Sequence, residues 1–267
     1  PIFAIVSVAL FLLAFRNLRE TIVEEKKTAP VLEGFSAIKG NWPWIIIFSS
    51  SLCFWVAFIS RISMVPYFFD YIWKNKQLTA LANSLDIVAL VSILALPWLC
   101  RFLSKSAIWA WGLGGAVASQ FLLYAGVATH STPLVFAGWI AGIITSGAAM
   151  ALPFSLLSDS VDFGEWKSGV RAAGLLTAIG AAFCLKAGSG LGGALPAWIL
   201  GATGYVANAE QSAGALRGIE IGFIWLPALF YFLALIPVLF YRKYERMEPQ
   251  IHADLEARRS RVLVFHS

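Results

Sequence analysis

Charged residues are scarce in this 267-residue chain. They make up 13% of the sequence, whereas hydrophobic residues make up 59% and the mean hydropathy is +0.74. Ordinary soluble domains carry about 25% charged residues. This shortage of charge excludes a typical water-soluble fold and predicts an integral membrane protein.

Cysteine and histidine are rare as well, with three of each. Cys53, Cys100 and Cys184 stand singly in apolar stretches, which is typical of small hydrophobic side chains. No HExxH pattern surrounds a histidine, and the glycines of "GSGLGG" lack the Lys-Ser/Thr that a phosphate-binding loop requires. We therefore expect no metal site, no cofactor and no enzymatic activity.

Long uncharged runs recur along the chain, and a helix crosses the ~30 Å membrane core with about 20 apolar residues. Five runs suit this length: residues 43–60, 106–129, 131–158, 187–209 and 221–241. A sixth run, 87–100, is long enough only if Asp86 and the turn before it lie in the bilayer. Residues 1–15 are also apolar, and we interpret them as the end of a truncated helix; a signal peptide is the alternative.

Lys and Arg are distributed unevenly between the predicted loops. Of the twenty, fifteen fall in alternate connections and the tail, and only Lys74, Lys76 and Arg217 fall in the others. Because loops rich in Lys and Arg remain in the cytoplasm, we expect a multi-pass membrane protein with a cytoplasmic carboxyl tail. The pI near 9.2 then reflects topology and anionic lipids, and it requires no nucleic-acid partner.

These patterns predict an all-α architecture in four parts. Residues 1–15 end a truncated transmembrane helix, 16–41 form a cytoplasmic linker, 42–242 form a six-helix transmembrane bundle, and 243–267 form a cytoplasmic tail. The chain is thus expected to be the carboxyl half of a larger protein.

Two charges stand near the outer ends of predicted spans. Arg61 follows eighteen uncharged residues, and Asp86 lies about two turns inside the next span. A charge within a span usually faces a cavity or a partner. Arg61 is therefore a candidate to hold solute hydroxyls or a carboxylate, and Asp86 a candidate partner or sugar-hydroxyl acceptor. The alternatives are an arginine that extends to the membrane surface and an acid at a helix entry.

Lys186 lies deepest of the charges, with fourteen uncharged residues before it and twenty-three after it. Its own span has no acid, so we expect a carboxylate from a facing helix, including one of a missing amino-terminal bundle. The small residues after it, Gly188 with Gly192 and Ser189 with Gly193, predict close helix packing.

The segment "LLSDSVDFGEWKSGVRAAG" concentrates charge between two apolar spans. Asp159 and Asp162 are three residues apart and share a helix face. Glu165 and Lys167 are expected in the turn, and Arg171 at the start of the next span. The net charge of minus one invites a base from elsewhere, such as Arg101 or Lys105. We interpret these five residues as a cytoplasmic gate; a solvated loop is the alternative.

The segments "DSVDFGEWKSGVR", "KAGSGLGGALPAWILGATGY" and "NAEQSAGALRGIEIGF" together resemble the sugar–cation symporters of the glycoside–pentoside–hexuronide family, a branch of the major facilitator superfamily. The resemblance implies a carboxyl-terminal six-helix bundle preceded by the end of the sixth helix. It also implies that Asp159, Asp162 and Arg171 belong to the cytoplasmic closure network and that Lys186 lies at the substrate and cation site.

Two positions depart from the melibiose branch of that family. Met150 stands where a tryptophan is expected, and Ala182 where a sugar-site threonine is expected. We nevertheless keep both as substrate-site candidates, and we favour a xyloside-like or uronide-like glycoside over melibiose. The resemblance implies that the acids that bind Na⁺ or H⁺ lie in the amino-terminal bundle.

The resulting hypothesis is cation-coupled transport of a glycoside by alternating access. A lysolipid carrier of the same superfamily is one alternative, favoured by an apolar, laterally open cavity. A non-transporting membrane scaffold, in which the charges merely pair helices, is the other.

Overall fold

In the computed structural model, residues 2–17 and 34–264 are described, and all regular secondary structure in these ranges is helical. The helices are α1 (Ile2–Asn17), α2 (Trp42–Ile72), α3 (Lys76–Leu99), α4 (Lys105–Ala128), α5 (Thr132–Ser168), α6 (Ala173–Ala202) and α7 (213–264). Helices α2 to α7 are long and apolar enough to cross a membrane. The predicted all-α class and six spans are confirmed.

Side-chain caps fix several helix starts. The Asn41 side chain accepts a hydrogen bond from the backbone N–H of Trp44, and Pro43 occupies the first turn of α2. Ser104 and Ser212 cap α4 and α7 in the same way. Helix α5 ends at Gly169, whose φ of 74° suits glycine and whose N–H bonds the Glu165 carbonyl.

Irregular turns lengthen the helices beyond the uncharged runs. A 3₁₀ turn at Leu85–Val88 carries Asp86 and joins both parts of α3. Wider π turns occur at Phe68–Ile72, Ala178–Phe183 and Ile221–Trp225. Such turns shift side-chain register without ending a helix, and they are common at functional sites. Helix α3, which contains the short uncharged run 87–100, therefore includes Asp86, as expected.

Helix α2 lies at the centre of the bundle and packs against α5, α6 and α7. Helix α4 packs between α5 and α7, and α3 packs mainly on α5. One buried cluster contains Trp44, Phe54, Trp109, Tyr231 and Tyr241. A second contains Phe68, Phe69, Trp139 and Phe223. Helices α3 and α6 bury the smallest share of their length and leave broad faces exposed.

The loops alternate between two faces of the bundle. On the base-rich face, the Ser106 hydroxyl donates to Glu245 Oε2 at 2.6 Å, and Trp166 Nε1 donates to Asp254 Oδ2 at 2.9 Å. On the base-poor face, the Tyr205 and Tyr71 hydroxyls are 3.0 Å apart. The sequence-based assignment of loops to alternate faces agrees with these contacts.

Two helices extend past the uncharged runs that predicted them. Helix α5 runs to Ser168, so Glu165 and Lys167 lie on its last turns and not in a loop. The last helix continues without a break through the predicted tail to Val264, and Ile251 and Leu255 of this extension are buried. These apolar side chains explain why the helix continues past the membrane-spanning run. Most of the predicted linker, residues 18–33, lies outside the described residues.

Candidate functional site

Arg61 lies inside the bundle in the second half of α2. Its side chain is buried, and Nη2 donates a hydrogen bond to the Trp139 carbonyl of α5 at 2.7 Å. The guanidinium carbon lies 4.0 Å from the centroid of the Trp139 ring, a cation–π distance. The arginine therefore points toward α5 and not to the membrane surface.

A glycine makes room for this arginine. A Cβ added at Gly142 would lie 2.6 Å from Arg61 Nη2, closer than side-chain atoms pack. Gly142 is one turn after Trp139 on α5, so the same helix supplies the carbonyl, the ring and the space. Arg61 Nε is buried and makes no hydrogen bond of standard geometry with the described residues, while the nearby Tyr231 hydroxyl of α7 also interacts with the guanidinium.

A cavity of about 220 Å³ adjoins the guanidinium. It brings together Arg61, Asp86 and Met150, three of the five predicted substrate-site residues. The remaining wall is mixed, with aromatic, aliphatic and small polar residues: Phe58, Ile62, Ala89, Trp139, Ile143, Ser146 and Gly147. The cavity is smaller than the roughly 300–1,000 Å³ of most small-molecule sites.

Asp86 is held at this cavity by contacts between α3 and α5. Trp139 Nε1 donates to the Ala82 carbonyl, one turn before Asp86, at 3.0 Å. A Cβ added at Gly147 would lie 3.2 Å from the Ala89 carbonyl, so the two backbones approach closely after Asp86 as well. The Asp86 side chain remains exposed beside the cavity, where it can accept hydrogen bonds.

Trp139 and Ser146 were not predicted from the sequence. One tryptophan among many apolar residues gives no signal of its own, because its role depends on the arginine of another helix. The only available hint was spacing: Trp139, Gly142 and Ser146 recur every three to four residues and so share one helix face.

Lys186 and Ala182 lie apart from this cavity. Both are exposed on α6 and are four residues apart, so they share a face. Lys186 has no hydrogen bond or ion pair with any of the residues described in 2–17 and 34–264. The expectation of an acid from a facing helix remains a prediction.

The opposite face of α6 packs tightly on α2. A Cβ added at Gly188 would lie 2.5 Å from Trp55 Cβ, and one added at Gly192 would lie 2.8 Å from the Val56 carbonyl. The second predicted pair contributes less, because a Cβ added at Gly193 meets nothing within 4 Å. The small-residue pattern thus marks helix packing at Gly188 and Gly192.

The predicted gate residues lie together on the base-rich face. Lys105 Nζ lies 3.0 Å from Asp159 Oδ2 and joins α4 to α5. Lys105 is one of the bases that were expected to pair with the acids of this segment. Arg171 Nη1 contacts both Asp162, at 2.9 Å, and Glu165, at 2.5 Å. Lys167 has a different partner, since its Nζ donates to the Gly40 carbonyl at 2.9 Å.

The electrostatics of the gate hold Arg171 in its charged form. Partial burial lowers the pKa of the guanidinium, but the hydrogen bonds and charges of Glu165 and Asp162 outweigh this effect, so the pKa lies above its ordinary value. The Arg171 side chain is 41% exposed, and in this setting each pair contributes only about 0–1 kcal/mol.

Within the described ranges, no group of three or more His, Cys, Asp or Glu side chains is placed to hold a metal ion. The arrangement offers instead a mixed cavity with one guanidinium and one carboxylate, which suits binding of a polar solute by hydrogen bonds.

Comparisons with known proteins agree with this chemistry. A family model described as "MFS/sugar transport protein" matches residues 1–244. The chain is 36% identical over 257 residues to the isoprimeverose transporter of Lactiplantibacillus pentosus. This alignment covers 96% of the chain and 53% of that transporter.

Two similar proteins come from Escherichia coli strain K12. A putative sulfoquinovose importer is 27% identical over 266 residues, with 98% of the chain and 56% of that protein covered. A glucuronide carrier protein homolog is 25% identical over 261 residues, and this alignment covers 97% of the chain and 56% of that protein. The chain spans about half the length of these curated relatives.

Proposed function

The chain belongs to the MFS/sugar transport family, within its glycoside–pentoside–hexuronide group, and on this premise we propose that it forms part of a transporter that moves a glycoside together with Na⁺ or H⁺. The chain supplies one helical bundle of an alternating-access machine, and the reaction involves no covalent chemistry. The cation-binding acids lie mainly in an amino-terminal bundle. A bacterial inner-membrane location with a cytoplasmic carboxyl tail completes the proposal.

The observation that carries this proposal is the cavity shared by Arg61 and Asp86. A guanidinium donates to sugar hydroxyl oxygens, and a carboxylate accepts from hydroxyl hydrogens, so the two groups are complementary to a polyol. Trp139 is buried, and its ring stacks with Phe223 and with the Arg61 guanidinium, so its part is to hold the arginine in place. The small volume, about 220 Å³, suits one part of a glycoside, with the rest contacted from the other bundle.

The size and lining of this cavity weigh against the two alternatives, a lysolipid carrier and a membrane scaffold. A lysolipid needs room for a whole acyl chain, whereas this cavity measures only about 220 Å³. In a scaffold, the charges would serve only to pair helices. Arg61 instead contacts a carbonyl and a ring, has no acidic residue as a salt-bridge partner among the described residues, and adjoins open volume.

Charge balance distinguishes the two preferred substrates. Arg61 and Asp86 carry opposite charges and face one cavity, so their net charge is zero. A uronide carboxylate would be attracted by Arg61 and repelled by Asp86, whereas a neutral xyloside would be bound by both. We therefore favour a neutral, xyloside-like glycoside over a uronide.

The transport proposal is tested with the complete transporter in proteoliposomes. Uptake of radiolabelled xylosides and glucuronides is measured with an imposed Na⁺ gradient, an imposed H⁺ gradient, or neither. We expect accumulation above the external concentration of a xyloside under one gradient. Failure to accumulate any glycoside under either gradient, in a protein that is correctly inserted, contradicts the proposal.

Substrate choice is tested separately by Asp86→Asn. This change leaves the cavity with a net positive charge, so the ratio of glucuronide to xyloside affinity should rise by about tenfold, which corresponds to ~1.4 kcal/mol. Glu210→Gln removes one negative charge from an exposed loop and serves as the matched control. An equal change in both variants would assign the effect to overall charge and not to the cavity.

A further inference from the structure

The base-rich face carries a second cavity, of about 600 Å³, between the start of α4 and the middle of α7. It shares no lining residue with the Arg61 cavity. Apolar side chains form one part of its wall, including Phe102, Leu103, Val238 and Leu239, while two arginines lie at one end.

The two arginines, Arg242 and Arg246, are four residues apart and share one face of α7. Both are exposed, and neither has an ion pair or hydrogen bond with a residue in the described part of the chain. The acid beside them, Glu245, already accepts from the Ser106 N–H at 2.8 Å and the Ser106 hydroxyl at 2.6 Å. The cavity therefore has a net positive charge with two guanidinium groups available.

The depth of this cavity matches the border between hydrocarbon and headgroups. Arg242 is the first charged residue after the uncharged run 221–241. Leu239, one turn earlier, is 61% exposed, and Phe102 is 70% exposed. Trp98 packs edge-on against Phe102 at 5.1 Å, and aromatic side chains of this kind are enriched at membrane interfaces.

We propose that this cavity binds an anionic phospholipid. The lipid phosphate lies between Arg242 and Arg246, and an acyl chain lies against Val238, Leu239 and Phe102. Guanidinium groups bind phosphate through paired, charge-assisted hydrogen bonds. A lipid whose headgroup has no net charge should bind less tightly, because its own cation competes with the arginines for the phosphate. The base-rich face is the one predicted to be cytoplasmic, where anionic lipids are available and each nearby Lys or Arg strengthens binding.

The neighbouring Lys243 provides a matched control. It lies at the same depth and is exposed, but its Nζ lies 5.9 Å from the Trp42 ring centroid and it does not line the cavity. General attraction to an anionic surface would involve Lys243 as much as Arg242. A specific site requires the two arginines.

Native mass spectrometry of the complete, delipidated transporter, titrated with phosphatidylglycerol and without sugar, tests the proposal. We expect one lipid to bind with saturation. The Arg242→Gln/Arg246→Gln variant should need about thirtyfold more lipid, because two favourable charges are lost, whereas Lys243→Gln should behave like the parent. Arg246→Gln alone provides the measurement if the double variant does not fold.

Further titrations separate the possible ligands. Phosphatidylcholine with the same acyl chains should bind less tightly, and inorganic phosphate or glycerophosphoglycerol should not occupy the site. Equal binding of both lipids, unchanged binding by the arginine variants, binding of phosphate alone, or displacement of the lipid by an acidic peptide would overturn the proposal. Since no sugar is present, failure here leaves the transport proposal unaffected.

Discussion

Trp139 contacts Arg61 twice, through its backbone carbonyl at 2.7 Å and through its ring at 4.0 Å. The two contacts fix the guanidinium plane relative to the cavity. A lysine ammonium group can make one of these contacts but cannot reproduce both, because it lacks the planar arrangement of donors in a guanidinium. This pair therefore provides a sharp test of the candidate site.

Arg61→Lys should weaken glycoside binding by about tenfold to a hundredfold, the range expected when a charged hydrogen bond is lost. The measurement is calorimetric titration of the complete transporter with a xyloside. Arg217→Lys, the same change at an exposed position of α7, should leave affinity unchanged. If Arg61→Lys binds every glycoside as the parent does, the arginine has only a structural role.

Gly142→Ala should displace the guanidinium, because the added methyl group would lie 2.6 Å from Nη2. We expect a loss of about 1–3 kcal/mol in stability, as for other overpacked interiors, together with weaker glycoside binding. Gly114→Ala is the control, since a Cβ added at Gly114 meets nothing within 4 Å. A midpoint of thermal unfolding that falls equally in both variants would contradict the packing of Arg61 against Gly142.

Lys186→Ala should abolish accumulation against a gradient while the protein stays in the membrane. The residue is exposed on α6 and contacts no described polar group, so the midpoint of thermal unfolding should change little, within about 0.5 kcal/mol. Gradient-driven uptake in proteoliposomes is the readout, with Ser189→Ala on the same helix as control. Normal uphill uptake by Lys186→Ala would overturn the role in substrate and cation binding that the family resemblance implies for this lysine.

The gate residues are tested by the accessibility of a single cysteine placed in the cytoplasmic half of the transport path. If the pairs favour the closed cytoplasmic side, Asp162→Asn and Arg171→Gln should shift the population toward inward-facing states by about 1–3 kcal/mol. Arg171→Gln should have the larger effect, because Arg171 contacts both Asp162 and Glu165.

The double variant should be less than additive, as expected for residues in one network. Arg101→Gln, an exposed arginine on the same face, is the matched control. Equal labelling of the parent and the gate variants, at preserved expression, would mean that these charges only solvate a loop.

The sequence was sufficient to predict the six spans and the alternation of their loops, because a membrane imposes both length and charge asymmetry on the chain. The net charge of minus one in the gate segment also called for a base from elsewhere, and Lys105, one of the bases named for this, pairs with Asp159. Helix ends were less predictable. Glu165 and Lys167 remain helical because a helix continues into water until a residue such as Gly169 ends it.

The cavity was predicted only in part. Arg61 and Asp86 were identifiable as charges within spans, and Met150 followed from the family resemblance. Trp139 was not identifiable, because its contribution arises only when α2 and α5 come together. Lys186 and Ala182 were grouped with the others by resemblance, yet they face away from the cavity within the described bundle.

The glycine contact between α6 and α2 has a mechanical consequence. Ser60, beside Arg61, donates its hydroxyl hydrogen to the Gly192 carbonyl at 3.0 Å, where the two backbones touch. No long side chain separates the backbones here, so sliding of α6 along α2 would break the hydrogen bond between Ser60 and Gly192. Lys186 lies six residues before Gly192 on α6, so a displacement of α6 at the lysine would act, through this contact, on the residue next to Arg61.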